Sequence, residues 1–236
     1  MLKYKKVLLK LSGEFLAGKN KLGIDPNVIS SICEDISFCL KSGAEIGIVV
    51  GGGNFWRGRD NKCSDKTKSD TAGMLATLMN SLIISDKLNS IGHICTIHSS
   101  IEIKNAISCY THEKIIKILD KNKVIIFGCG LGIPFFSTDT AAAFRAVEIN
   151  ADILLKGTNV DGIYEFDPKK NLDNNRIYKK ISLNDIISKN ISVMDASAVA
   201  LCRENNMSIC VFNVGRSGSI YKILNGEDVG TYAFPD

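Results

Sequence analysis

Apolar positions along the chain change period several times, and each change marks an element. KVLLKL at Lys6–Leu11 and IGIVV at Ile46–Val50 are short, nearly continuous apolar runs. Strands buried on both faces read this way. Between them, Val28, Ile29, Ile32, Cys33, Ile36 and Leu40 recur at helical spacing. Asp25 is a good N-cap for that helix, Pro26 suits its first position, and Gly43 ends it after Lys41. The alternation continues to the end of the chain. A helix that Asp70 would cap runs to about Leu88, and strands follow at Ile94–Ile97 and Val124–Phe127. Thr138 or Asp139 would cap the helix AAAFRAVEI, and Ile153–Lys156 is a further strand. Ser182 and Asp185 open a short helix in the manner of a capping box. Ala196–Glu204 is helical, Ile209–Phe212 is a strand, and Ile220–Leu224 is a last helix. Short apolar strands alternating with helices predict an α/β fold, with a mainly parallel sheet covered on both faces.

Composition narrows the function classes. The 236 residues fit one α/β domain, and neither a long linker nor a repeat divides them. Net charge is +4 without a dense Lys/Arg block, which argues against a nucleic-acid partner. No apolar run reaches the length of a membrane span, and the N-terminal run is too short for a signal peptide, so a cytoplasmic protein is expected. The eight cysteines form no C-x-x-C pair and mostly lie among apolar residues. They read as reduced, small hydrophobic side chains rather than as a zinc or disulfide framework.

Ligands of such sheets bind outside the carboxyl ends of the strands. Four loops there carry the candidate chemistry: Lys10–Glu14 (KLSGE), Gly51–Asn54 (GGGN), Gly128–Asp139 (GCGLGIPFFSTD) and Lys156–Tyr164 (KGTNVDGIY). Glycines let backbone N–H groups converge on an anion, and a helix start just beyond adds partial positive charge. A single loop of this kind is weak evidence, since glycine also punctuates ordinary turns. Three after three separate strands point to phosphate. Neither the G-x-x-x-x-G-K-[ST] motif nor a dinucleotide G-x-G-x-x-G is present, which excludes the commonest nucleotide-binding classes. Lys10, within an apolar strand, is either a cation over transferring phosphoryl oxygens or an edge residue that reaches solvent. Arg57 reads as a phosphate ligand or a surface arginine, and Asp139 and Asp70 as site residues or plain helix caps. The three histidines show no ligand spacing.

The set KLSGE at 10–14, GGGNFWRG at 51–58, DTAGMLATLMN at 70–80, PFFSTDTAA at 134–142, VDGIYEFDP at 160–168 and VMDASA at 193–198 closely resembles the bacterial uridylate kinases of the amino-acid kinase superfamily. The match runs in order over almost the whole chain. It implies a three-layer sandwich around the sheet, with an acceptor-binding lobe over roughly 1–150 and an ATP-binding lobe over roughly 151–236. It also implies a homohexamer that transfers the γ-phosphoryl of MgATP to UMP in pyrimidine nucleotide biosynthesis, with GTP as activator and UTP as inhibitor.

Roles follow position by position from the resemblance. Lys10, Leu11, Ser12 and Gly13 would hold ATP phosphates, with Gly53 and Arg57 beside them. Thr158, Tyr164 and Asp167 would surround the adenosine half. Gly52, Arg57, Asp70 and the run Leu131, Gly132, Ile133, Pro134, Phe135, Phe136, Ser137 and Thr138 would form the UMP site, with Asp70 on the ribose. Lys10 and Asp139 would be catalytic, Asp139 orienting the lysines. Lys19–Gly23 falls where the family has its GTP-responsive loop. The triple glycine would lie between donor and acceptor, where any β-carbon crowds the gap. Two positions depart from the family pattern, which has GTGNPFF where this chain has GLGIPFF: Leu131 and Ile133 replace polar residues beside the pyrimidine. A related kinase acting on a carboxylate or carbamate, or a non-catalytic nucleotide-binding regulator, are the alternative readings.

Overall fold

The computed structural model describes residues 1–58, 65–104, 107, 109, 111–122, 124–165, 176–191 and 193–235, with the backbone alone for 120–122. Asp167, Arg59 and Cys63 therefore lie outside the described residues. In chain order the elements are β1 (Lys6–Leu11), α1 (Gly13–Leu16), α2 (Pro26–Lys41), β2 (Glu45–Val50), α3 (Lys66–Ser90), β3 (Thr96–Ser99), α4 (His112–Asn122) and β4 (Val124–Gly128). After them come α5 (Thr138–Glu148), β5 (Ile153–Thr158), β6 (Lys180–Ser182), α6 (Leu183–Ser188), α7 (Ala196–Glu204), β7 (Ile209–Asn213), α8 (Ser219–Leu224) and β8 (Thr231–Phe234).

One sheet of eight strands, in the order β3-β4-β2-β1-β5-β7-β8-β6, runs through the described residues. Every neighbouring pair is parallel except β7 with β8. Alternate residues of each strand feed the two faces. Val7, Leu9 and Leu11 of β1 join α2, α8 and the C-terminal half of α3 in one core, while Leu8 joins α4, α5, α6 and α7 in the other. The fold is thus the expected three-layer α/β sandwich.

Local signals explain most boundaries. Asp25 caps α2 by accepting a hydrogen bond from the Asn27 amide at 2.9 Å. Ser182 caps α6 through the Asp185 amide at 3.0 Å. Gly43 adopts φ +96° directly after α2, a conformation that resists a side chain. Three expectations need correction. The third helix begins at Lys66 with Asp65 as its cap, so Asp70 sits inside it rather than at its start. Ser137 caps α5, its hydroxyl accepting from the amides of Asp139 and Thr140. The serine wins because its oxygen reaches two free amides of the first turn, which leaves the Asp139 side chain available for other partners. The third strand is Thr96–Ser99, later than Ile94–Ile97, because Ile94 is 68% exposed and only the later register pairs with β4.

Among the described residues seven cysteines are free, all of them buried except Cys109. Burial pushes the Cys33, Cys39, Cys202 and Cys210 thiols up to about 12, as expected of inert core side chains. No described helix is long and apolar enough to cross a membrane.

Candidate active site

The centre of the site follows from strand register. β1 and β5 are parallel neighbours, and Lys10 is the direct partner of Lys156. Both lysines are almost completely buried and share the face of the sheet that α5 covers. Two ammonium groups side by side in an apolar layer need an anion. The first turn of α5 supplies it. Asp139 Oδ1 lies 2.8 Å from Lys10 Nζ, and Asp139 Oδ2 lies 2.5 Å from Lys156 Nζ. Lys156 also donates to the Val193 carbonyl at 2.5 Å. The helix N-terminus further favours a carboxylate there.

Titration follows the same contacts. Burial by itself raises the Asp139 pKa, but the charges of Lys10 and Lys156 and their hydrogen bonds outweigh it and hold the carboxyl below its usual range. Burial lowers the Lys156 pKa, the neighbouring Lys10 charge lowers it further, and Asp139 opposes both. Each carboxylate oxygen lies against one ammonium group, an arrangement suited to aiming two cations rather than to taking up a proton.

The triple-glycine loop lies beside this centre and is fixed by a buried pair of amides. Asn54 Nδ2 donates to Asn80 Oδ1 at 2.9 Å, and Asn80 Nδ2 returns a bond to Asn54 Oδ1 at 2.7 Å. Asn80 also donates to the Gly51 carbonyl at 2.7 Å, which ties the loop to α3. The glycines are needed for packing. A β-carbon on Gly52 would stand 2.7 Å from the Gly73 carbonyl and 2.9 Å from the Ala76 β-carbon, both on α3. One on Gly13 would stand 2.6 Å from the Gly51 carbonyl. At Gly53 the nearest atom is the flexible Glu14 Cγ at 3.3 Å, which can move. So the crowding expected at the triple glycine is, at Gly52, contact with a helix of the protein itself.

A cavity of about 970 Å³ opens in front of the loop. Gly52, Gly53, Arg57, Asp70, Phe136, Ser137 and Thr138 line it, so the structure brings these candidates together. Arg57 Nε donates to the Gly53 carbonyl at 2.9 Å, and its guanidinium lies 3.5 Å from Glu14 Oε1. Asp70 lines the same cavity and accepts from the Phe135 amide at 2.8 Å. The rest of the run from Leu131 is less concentrated. Leu131 packs against the core on the α5 side, while Ile133 and Phe135 are 56% and 66% exposed. Gly132 and Pro134 lie in the same loop but are not part of the cavity wall.

Lys10, Leu11, Ser12 and Gly13 follow one another at the end of β1, and Thr158 ends β5 two strand positions beyond Lys156. Tyr164 forms an isolated bridge with Ile177. A second cavity, about 590 Å³, opens further along this sheet edge between Asp161, Asn213, Arg216 and Tyr232. Lys10–Gly13, Thr158 and Tyr164 line neither cavity, so the candidates gathered in one wall are those of the large cavity alone.

The model of the amino acid kinase family matches residues 5–213. The chain belongs to that family. Among solved structures, the UMP kinase of Bacillus anthracis is 35% identical with a TM-score of 0.94, over 99% of this chain and 97% of that one. The UMP kinase of Ureaplasma parvum is 34% identical with a TM-score of 0.90, over the full length of both chains. The uridylate kinase of Archaeoglobus fulgidus, 24% identical with a TM-score of 0.72 over 97% of this chain and 99% of that one, shares the fold.

Within this amino acid kinase framework, sequence reasoning passed over two residues with a clear place. Lys156 opens the Lys156–Tyr164 loop, where residue type alone gives it no role. Its signal is the repetition of LLK near the ends of β1 and β5, two apolar strands that each carry a cation there. Asp195 caps α7 by position, and its carboxylate accepts a hydrogen bond from the Ser137 hydroxyl, so α7 is tied to the start of α5. No periodicity announces that contact, since it joins residues 58 apart in sequence.

Proposed function

We propose that this chain is a UMP kinase that transfers the γ-phosphoryl group of MgATP to UMP, giving UDP and ADP. The observation that carries the reading is the Lys10–Asp139–Lys156 centre, whose Asp139 directly follows Thr138 in the wall of a cavity that also carries Arg57 and Asp70. The two full-length structural neighbours, both UMP kinases, support it.

In this reading the ATP phosphates lie over Lys10–Gly13 and Gly53, and the nucleoside extends past Thr158 and Tyr164, with Asp167 in the same segment. UMP occupies the large cavity. Its phosphate meets Arg57 and the Gly52 backbone, its ribose meets Asp70, and its base lies against the run from Leu131 to Thr138. Asp70 then exchanges the Phe135 amide for the ribose hydroxyls. Mg2+ arrives as part of the MgATP substrate, held chiefly by phosphate oxygens.

The acceptor needs no general base, because the second phosphate pKa is about 6 and the attacking oxygen is already anionic. What opposes the reaction is charge crowding between two phosphate chains. Lys10 and Lys156 offset that charge, and Asp139 keeps them aimed from the side. Alignment by the rigid glycine loop supplies the remainder. A carboxylate acceptor would have no use for Asp70 in the same cavity as Arg57.

A homohexamer is supported by an apolar stripe on α3, where Leu75, Met79, Leu82 and Ile83 are 37–47% exposed at helical spacing. Control by GTP and UTP, a place in pyrimidine nucleotide biosynthesis and a cytoplasmic location follow from the family resemblance.

The test is an acceptor panel with MgATP. UMP should be turned over far faster than CMP, AMP or N-acetylglutamate. Turnover of a carboxylate with UMP inert would sink the reading.

A further inference from the structure

Arg145 of α5 is, among the described residues, the largest side chain buried without any exposure. Its guanidinium lies 5.3 Å from the Phe127 ring centre and 5.2 Å from that of Phe144. One arm, Nη1, donates to Glu148 Oε2 at 2.7 Å. The other, Nη2, donates to Ser100 Oγ at 3.0 Å. Ser100 Oγ in turn donates to the Gly130 carbonyl at 2.7 Å, and the Ser100 amide donates to the Gly128 carbonyl at 3.2 Å. A buried ion pair is seldom better for stability than apolar residues of the same shape. An arginine kept in such a place therefore points to its geometry, a rigid fork that joins two partners at once.

What the fork reaches is a turn that needs holding. Cys129, Gly130 and Gly132 all have positive φ, at +59°, +55° and +74°. Cys129 is not glycine, so its conformation is strained and must be over-determined by its surroundings. Thr77 on α3 holds the Cys129 amide at 2.9 Å from below. Ser100 holds the Gly130 carbonyl from the side, and Gly132 lies against it so closely that a β-carbon would stand 2.9 Å from the Ser100 carbonyl. Gly130 itself lines the large cavity.

We propose that Arg145, acting through Ser100, is a positioning residue that holds the Cys129–Gly132 turn in the shape that receives the acceptor. It touches no substrate. The kinetic consequence rests on the assignment of the large cavity to UMP. The structural consequence does not.

The test is Ser100→Ala, which removes the hydroxyl and little else, together with Arg145→Lys, which keeps a cation for Glu148 but has no second arm. Loss of one such bond should raise KM for UMP about fivefold. KM for ATP and kcat should stay within about twofold of wild type, a split that general loosening of the fold would not give. Hydrogen exchange at the 129–132 amides, measured without any nucleotide, should quicken in both variants. An unchanged KM for UMP in a folded Ser100→Ala enzyme overturns the proposal. So does a parallel rise in KM for ATP, or unaltered exchange in the turn. If wild type proves inert towards UMP, the proposed function fails on its own, and the exchange measurement still decides the positioning role.

Discussion

Replacing Asp139 by Asn should destabilise the protein heavily at neutral pH, although the two side chains are nearly the same shape. The carboxylate, whose side chain is 14% exposed, bridges two lysines whose side chains are each 10% exposed. Removing its charge leaves both cations buried, and two unit charges about 6 Å apart repel by about 3 kcal/mol at an effective dielectric of about 20. Breaking a buried ion pair on one side typically destabilises by about 3–5 kcal/mol, which for a domain of this size lowers Tm by about 6–20 °C. In the Lys156→Met background the repulsion has no second partner, so the same substitution should do less harm, and the double variant should be more stable than the sum of the single effects.

The pH dependence has a definite sign. Asp139 has a lowered pKa in the fold, so its contribution is complete above the ordinary carboxylate value and disappears as pH falls through the lower, folded value. Wild type and Asp139→Asn should therefore converge in strong acid. They should also converge at alkaline pH, where Lys156 loses its proton earlier than an ordinary lysine and the repulsion in the variant fades. Thermal and urea denaturation across the pH range measure all of this. A Tm change below about 2 °C at pH 7, or a gap that stays constant into acid, would refute the account of Asp139 as the anion that makes the lysine pair tolerable.

Other outcomes follow from the same geometry. Lys10→Ala should lower kcat by orders of magnitude in a protein that remains folded by circular dichroism, and unchanged turnover would remove Lys10 from the chemistry. The rate should fall at high pH as Lys156 deprotonates below the usual lysine range, and Lys156→Arg should remove that alkaline limb from the kcat profile. Gly52→Ala should destabilise by about 1–3 kcal/mol, because backbone on α3 cannot give way, whereas Gly53→Ala should leave Tm nearly unchanged and act on kinetics alone. If the proposed hexamer forms through α3, Met79→Glu with Leu82→Glu should give a smaller species than wild type in sedimentation analysis, and an unaltered profile would clear α3 of any part in assembly.

The fold was legible because buried parallel strands leave a strong trace. Continuous apolar runs such as KVLLKL and IGIVV, with capped helices between them, left little room for another class. The far edge of the sheet was not legible. β6 and β8 are three and four residues long, and both pair only after the chain has turned back. Short edge strands carry too few residues to show a period. The helix α4 is a different case: Ile115, Ile118 and Leu119 recur at helical spacing through a charged stretch, so its amphipathic pattern is legible in the sequence and simply absent from the expectations above.

The site divides in the same way. Its glycine loops are local features, so spacing and residue type reveal them. Its centre is a product of register. Lys10 and Lys156 are 146 residues apart, and nothing near either says that β1 and β5 are neighbours in the sheet. The cap at α5 shows how the two levels connect. Sequence offered Thr138 or Asp139 for that role, but the Ser137 hydroxyl fills it and is itself anchored by Asp195 on α7. Had Asp139 capped its own helix, its carboxylate would be turned to backbone amides and unavailable to the lysines. Serine at 137 therefore leaves the Asp139 carboxylate free for Lys10 and Lys156. Ser137→Ala should accordingly hand the free amides of α5 to Asp139, weaken its hold on Lys10 and Lys156, and lower kcat together with stability. If kcat is unaffected while Tm falls by the amount of a lost cap, about 1 kcal/mol, then the division of labour between Ser137 and Asp139 is not what frees the carboxylate.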